Sequence, residues 1–329
     1  ILVRALRHTN WLTHLLNRLP ISTCKAVSPF GGIPVILSFF TILWSFYFAG
    51  WVHPENLRLF QVITLGVGLM TLLGVYDDIY HCSARTKLFF QVAIATVLYF
   101  AGFQIERIGD MVELGPFSIL LTILWIVGIT NSVNLIDGMD GLASGVIFLS
   151  CMTLVFVYME RDILEASFLA VILAGSVLGF FLFNFPPAKI ILGDTGSLPL
   201  GLMVALITLL PLNQQHTDEI YYLIPVITLL LPILDTSFAF CRRFFKGVSP
   251  FSKDIEHFHH RLARLGYSPL KSISILFALC LYFDLTALVP AYNINLIPKF
   301  IPIYLVFLIG NIAILVYVLK RLENKKRQS

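Results

Sequence analysis

The chain has 329 residues, of which 57% are hydrophobic and only 13% charged. Soluble globular domains carry about 25% charged residues, so that class is excluded. The formal charge of +4 is modest, no nucleic-acid partner is expected, and none of the five cysteines forms the CxxC pair of a zinc or redox site.

Apolar runs long enough to cross a bilayer as helices recur along the whole length. They show no period-2 alternation, and open strands leave backbone groups unpaired in lipid, so the fold class is an all-α polytopic membrane protein. Spans are predicted at 31–52, 58–76, 87–103, 117–134, 141–159, 163–183, 197–212, 220–240, 270–291 and 299–319. Residues 1–20 are amphipathic and resemble the tail of a further helix, giving about 10 or 11 helices. The chain reads as one integral-membrane unit. Residues 1–30 form a partial N-terminal helix and loop, 31–240 the catalytic core spans, 241–269 a His/Arg loop, and 270–329 the C-terminal spans and basic tail.

Alternating the spans from a cytoplasmic N-terminus puts nineteen of the 23 Lys and Arg residues on one side. That is a strong positive-inside bias, and it supports both the span count and the orientation. The same alternation gathers four polar segments on the cytoplasmic face: "YDDIYHCSARTK", "NSVNLIDGMDGLASG", "NFPPAKIILGDTGSL" and "FSKDIEHFHHRLARLG". The outer face receives short connections and residues 104–116, which alternate like a small hairpin.

Each segment has a plain reading and a chemical one. Asp77 and Asp78 end an apolar run. As a solvated helix end they mean little; as charged neighbours they suit a divalent cation or a general base. Lys87 follows at the mouth of the next span, where an ammonium can hold a phosphate. Asn131, Asn134 and Asp137 recur every three residues and share one helix face, with Asp140 beyond a glycine. Capping explains Asp140 and Gly138 but leaves both asparagines without a reason. Asp194, Thr195 and Ser197 precede a span in a glycine-rich setting that fits a phosphate cradle. His257, His259 and His260 lack a Cys partner and sit beside Arg261 and Arg264, which favours phosphate over zinc. Acids and amides for a divalent metal thus face a His/Arg/Lys set for phosphates. Mg2+ is the natural ion, with Mn2+ as an alternative. The combination indicates phosphoryl transfer at a membrane surface between a soluble phosphorylated substrate and a lipid.

In this order the motifs resemble the polyprenyl-phosphate N-acetylhexosamine-1-phosphate transferases, the glycosyltransferase family 4 type that also contains the phospho-muramoyl-pentapeptide translocase. The resemblance runs from about Gly31 to Arg264 and rests on "DD" at 77–78 with Lys87, "NxxNxxDGxDGL" at 131–142, "NFxPAKxxxGDTGSL" at 184–198 and "HxHHRLxxLG" at 257–266. The last motif, with "PILDTSFAFCRR" before it, is similar to the branch that begins O-antigen, common antigen or teichoic acid synthesis. The resemblance implies transfer of an N-acetylhexosamine 1-phosphate, GlcNAc-1-phosphate first among them, from a UDP-sugar to undecaprenyl phosphate in the bacterial cytoplasmic (inner) membrane, with UMP released. It also implies roles: Asp194 with Asn134 on Mg2+, Asp77 and Asp78 at the lipid phosphate, and Asp137 and Asp140 lining the nucleotide and metal site. Lys87 would hold the diphosphate, Asn131 would join the phosphate-binding set, and the His257–Arg261 segment would hold sugar and phosphate. A homodimer is compatible with this class. The sequence departs from the branch where His81 stands in place of a third acid, and at "AVSPFGG" before the first span.

Two rival classes are an intramembrane aspartyl protease, which needs two carboxyls sharing a proton, and an ion-coupled transporter, which places ionisable groups near span centres. The protease reading leaves the asparagines and histidines idle. Clustering at one face disfavours the transporter, although Asp284, inside the span at 270–291, fits neither the site nor the face.

Overall fold

The computed structural model describes residues 30–108, 112–213, 220–249 and 256–292, with residues 309, 310, 313 and 321. Its helices are α1 (Gly32–Phe48), α2 (Leu57–Tyr80), α3 (Ala84–Phe100), α4 (Phe117–Ile136), α5 (Leu142–Glu160), α6 (Leu164–Asn184), α7 (Asp194–Leu209), α8 (Ile220–Thr228), α9 (Leu230–Phe245), α10 (Phe258–Arg264) and α11 (Pro269–Tyr292). Among the described residues, six helices are long and apolar enough to cross a membrane, and the α8–α9 pair makes a seventh. The protein is an all-α polytopic membrane protein, as the apolar runs predict.

The first nine predicted spans each coincide with a helix or helix pair. One needs correction: the run at 220–240 is not one continuous helix but two, bent by 76° at Leu229. Uniform hydrophobicity conceals the break. The span at 299–319 lies almost wholly outside the described residues, as do residues 1–29 and the basic tail.

α7 is the axis of the bundle: the apolar stretch of Asp194–Leu212 is 94% buried, against 39% for Pro54–Tyr80. α2 and α4 pack along it, and α1 and α6 complete its surroundings. The α2–α7 approach depends on Gly74, where a Cβ would overlap the Asp194 carbonyl. Small residues let helix backbones come this close in lipid, where packing rather than hydrophobic burial drives association. Outward-facing Leu65, Leu72, Leu120 and Leu124 are exposed, as a lipid-facing surface requires.

The helix ends set the polarity of the bundle. α2 stops where His81 takes a left-handed conformation (φ 54°) and returns its N–H to the Asp77 carbonyl. Ser83 caps α3, accepting from the Thr86 N–H. α3 then runs to the opposite end, where Arg107–Ile108 (β1) and Val112–Glu113 (β2) form the expected hairpin, pairing Arg107 with Glu113 and Ile108 with Val112. α4 returns to the end at which α2 stopped. The C-terminus of α2, the N-termini of α3 and α7 and the C-terminus of α4 therefore share one end.

Candidate active site

At that end Lys87, on the first turns of α3, reaches two carboxylates. Its ammonium donates to Asp77 Oδ2 at 3.0 Å and to Asp194 Oδ2 at 2.7 Å. The pairs are largely buried, so they are screened less than a surface pair. The second Asp194 oxygen, Oδ1, accepts from Asn134 Nδ2 at 2.9 Å, and the same amide nitrogen donates to Ser197 Oγ at 2.8 Å. Four helices thus place Asp77, Lys87, Asn134 and Asp194 in one cluster.

The adjacent acids of α2 have different work. Asp77 is buried and, besides Lys87, takes the Cys82 N–H on Oδ1 at 2.8 Å. Asp78 points at the start of α7. Its Oδ1 accepts from the Asp194 N–H at 3.0 Å, and its Oδ2 from the Thr195 N–H at 2.8 Å and the Thr195 hydroxyl at 2.6 Å. A carboxylate at a helix N-terminus answers amides that have no partner inside the helix and opposes the positive end of its dipole. Asp78 is therefore a cap supplied by a neighbouring helix. The phosphate cradle expected at Asp194, Thr195 and Ser197 is occupied by this cap and by Asn134.

Asn131 and Asp140 are likewise engaged. Asn131 Nδ2 donates to Gln91 Oε1 at 2.6 Å and to the Val127 carbonyl at 2.8 Å, and Gln91 is fully buried. This amide pair ties α3 to α4 one turn below Lys87. Asp140 Oδ2 accepts from the Ala188 N–H at 3.0 Å, joining the α4–α5 loop to the α6–α7 loop. Buried Asn184 reinforces that junction, accepting from the Gly141 N–H and the Ser144 hydroxyl and donating to the Ile190 carbonyl, each at 2.9 Å.

Asp137, at the end of α4, has no side-chain hydrogen bond among the described residues. Burial, and then the charges of Asp194, Asp78 and Asp140, hold its carboxyl well above the usual carboxylate range. An acid so placed gains from a cation.

The histidine segment lies against the same loop. A Cβ on Gly138 would meet His259 Nε2, so the glycine leaves room for this ring against the α4–α5 loop. His259 is 3% exposed, and its Nε2 is buried without a hydrogen-bond partner among the described residues. Burial, and then the neighbouring His260, push its pKa from 6.5 down to about 4, so the ring is neutral near pH 7. The His259 and His260 ring centroids lie 4.1 Å apart; His260 is exposed and Arg261 half-buried. His257 faces buried Asp235 of α9, with Nδ1 at 2.9 Å from Oδ2. Gln91 lies outside the sequence motifs, and Asn184 and Asp235 stand within quoted motifs without a role assigned to them. A lone acid in an apolar run was the signal for Asp235, because lipid tolerates one only beside a partner.

The donor set can be weighed for Mg2+. Among the described residues no group of three His, Cys, Asp or Glu is arranged to hold a metal. Mg2+ commonly binds through one or two carboxylates and completes its shell with substrate phosphates and water. Unpartnered Asp137 and Asp194, whose oxygens retain spare acceptor capacity, fit that pattern. Asn134 turns its nitrogen toward Asp194 at 2.9 Å and so orients that carboxylate.

Comparison with known proteins bears on these features. Residues 60–211 match the model of glycosyl transferase family 4. The chain is 37% identical over 232 residues to a probable undecaprenyl-phosphate N-acetylglucosaminyl 1-phosphate transferase of Bacillus subtilis (strain 168), a match covering 69% of this chain and 64% of that protein. It is 31% identical over 253 residues to the decaprenyl-phosphate N-acetylglucosaminephosphotransferase of Mycobacterium leprae, covering 69% and 63%. It is 31% identical over 270 residues to the phospho-N-acetylmuramoyl-pentapeptide-transferase of Thermotoga maritima, covering 78% and 84%. The chain thus spans less than two thirds of the length of the first two relatives.

Proposed function

The chain belongs to glycosyl transferase family 4, and on that premise we propose that it transfers N-acetylhexosamine 1-phosphate from a UDP-sugar to undecaprenyl phosphate. The donor proposed is UDP-N-acetylglucosamine. The setting is the bacterial cytoplasmic membrane with the site facing the cytoplasm, and the products are UMP and the undecaprenyl-diphospho-sugar that begins a cell-surface polysaccharide. The observation that carries this reading is the Lys87 ammonium held between Asp77 and Asp194, with Asn134 beside them, at the shared end of four helices. It is a fixed cation among acids, where a diphosphate and a lipid phosphate can meet.

An oxygen of the lipid phosphate attacks the β-phosphorus of the donor. A new P–O bond forms, the bond to the bridging oxygen breaks, and UMP departs with that oxygen. A phosphate monoester has its second pKa near 6, so much of the acceptor is already dianionic at neutral pH and little base strength is asked of the protein. Asp77 orients Lys87 and the incoming phosphate. Lys87 neutralises charge on the diphosphate, the main service a protein renders to phosphoryl transfer. Asp194 and Asp137 would hold Mg2+, which when bound supplies further charge neutralisation on the phosphates. Asn134 holds Asp194 in place, Asp78 fixes the start of α7, and His260 and Arg261, the more open members of the histidine segment, meet the sugar and phosphate.

The test is UMP release by the purified protein with undecaprenyl phosphate across a panel of UDP-N-acetylhexosamines, with and without Mg2+. Release that requires lipid, metal and one sugar supports the reading. No release with any donor, from folded protein supplied with Mg2+, overturns it. The motif residues gather at one end of the bundle rather than at span centres, which sets this reading ahead of the transporter. The protease reading is set behind it because it leaves Asn134, which orients Asp194, and the histidine segment without work.

A further inference from the structure

We infer that Asp235 is a positioning residue for the histidine segment, and through that segment for the transfer reaction proposed above. Asp235 lies on α9, just past the 76° bend, and is 3% exposed with buried Leu231, Pro232 and Ala239 on the same helix. A carboxylate in such a place persists only when its oxygens are answered. Both are answered by one turn of chain. Oδ1 accepts from the Phe258 N–H at 2.9 Å, and Oδ2 faces His257 Nδ1 at 2.9 Å.

The two bonds constrain different things. The bond to Phe258 anchors the first amide of α10, one of the donors that a helix start leaves open. The bond to His257 fixes the ring's rotation and places a proton on Nδ1, leaving Nε2 without a partner among the described residues. The next ring follows from these two. His259 stacks parallel to His257, with centroids 5.9 Å apart and planes 4° apart, and its Nε2 reaches Gly138. Arg242, two turns along α9, adds a tie to Glu256, donating from Nη2 to its carbonyl at 3.1 Å. α9 therefore grips Glu256, His257 and Phe258 in succession, and the seat of His259 beside Asp137 depends on that grip. Asp235 serves the site from behind and needs no contact with substrate.

The experiment is a double-mutant cycle on the full chain. Asp235→Asn is expected to lower UMP release about 10- to 100-fold, the usual cost of removing the carboxylate behind a functional imidazole, with the melting temperature in detergent retained. In a His257→Ala background the same substitution is expected to cost nothing further, because its effect runs through that ring. Losses that multiply, or wild-type turnover in Asp235→Asn, overturn the inference. Should Asp235→Asn fail to fold, Asp235→Glu, which keeps the charge, enters the same cycle, and losses that multiply again overturn it. Ring-nitrogen NMR of 15N-histidine-labelled protein reads the pair without turnover: the His257 signals report a protonated Nδ1 and shift on substitution of Asp235. Signals that do not move overturn the pairing. A wild-type protein that releases no UMP sinks the transfer reading alone, and the NMR result still decides the pair.

Discussion

At the scale of single residues, the adjacent acids of α2 separate into two roles. Asp77 is engaged by Lys87, whereas three donors at the start of α7 saturate Asp78. Asp77→Asn is therefore expected to cut turnover at least about 100-fold, as loss of a preorganised charge does, with a smaller fall in melting temperature than at Asp78, because two donors rather than three share the remaining acceptor. Asp78→Asn is expected to lower stability by about 1–3 kcal/mol, because an amide presents one acceptor where three donors wait. Thermal melts and UMP release on the pair of variants check the division. Asp194→Asn should remove turnover with the fold intact, since its oxygen can still accept from Asn134 while the charge facing Lys87 is lost; substantial residual release would take Asp194 out of the site. His259 supplies a pH dependence. Its folded pKa of about 4 lies below the ordinary 6.5, so between these values the unfolded chain takes up a proton that the folded chain refuses. Its contribution to stability is full above pH 6.5 and declines as the pH falls toward 4. Melts at pH 7 and pH 5 should differ, and His259→Gln should shrink the difference.

At the scale of elements, the close approach of α2 and α7 is what joins Lys87 to Asp194. Gly74→Val would put branched bulk against the Asp194 carbonyl and force the helices apart. The expected outcome is loss of turnover together with a lower melting temperature; wild-type behaviour would show the contact to be slack. Helix existence and most helix ends were legible, because apolar length and a polar boundary are local properties of the chain. The bend between α8 and α9 was not, since both arms are apolar and the reason for turning lies in what they pack against. The capping reading of Asp140 failed for a similar cause: its partner, the Ala188 N–H, is 48 residues away.

At the scale of the whole molecule, the bundle has a polar end where the motifs meet and an opposite end closed by the β1–β2 hairpin. The distribution of Lys and Arg is the basis for proposing that the motif end faces the cytoplasm. Glu113→Cys in the hairpin is expected to react with a membrane-impermeant maleimide on intact cells, and Ser83→Cys only after lysis. The reverse pattern would invert the topology and the proposed access of UDP-sugar. Asp284 remains apart from the site. It is 2% exposed on α11, within the membrane-spanning part, and nothing in the structure explains it.

The sequence by itself determined the class, the helices, their alternation and the residue types of the site, because hydrophobic length, charge distribution and motif spacing are written along the chain. It also pointed to Asp77, Lys87, Asn134 and Asp194 as members of one site. Only the tertiary structure decided which of them touch and which serve as scaffold. Lys87 and Asp194 are separated by 107 residues, and Asp78 reaches its partner Thr195 across 117. A carboxylate reads the same in sequence whether it caps a helix, holds a lysine or, like Asp137, has no side-chain hydrogen bond among the described residues. What distinguishes those states is the donors that packing brings within hydrogen-bonding distance, and packing is a property of the assembled helices alone.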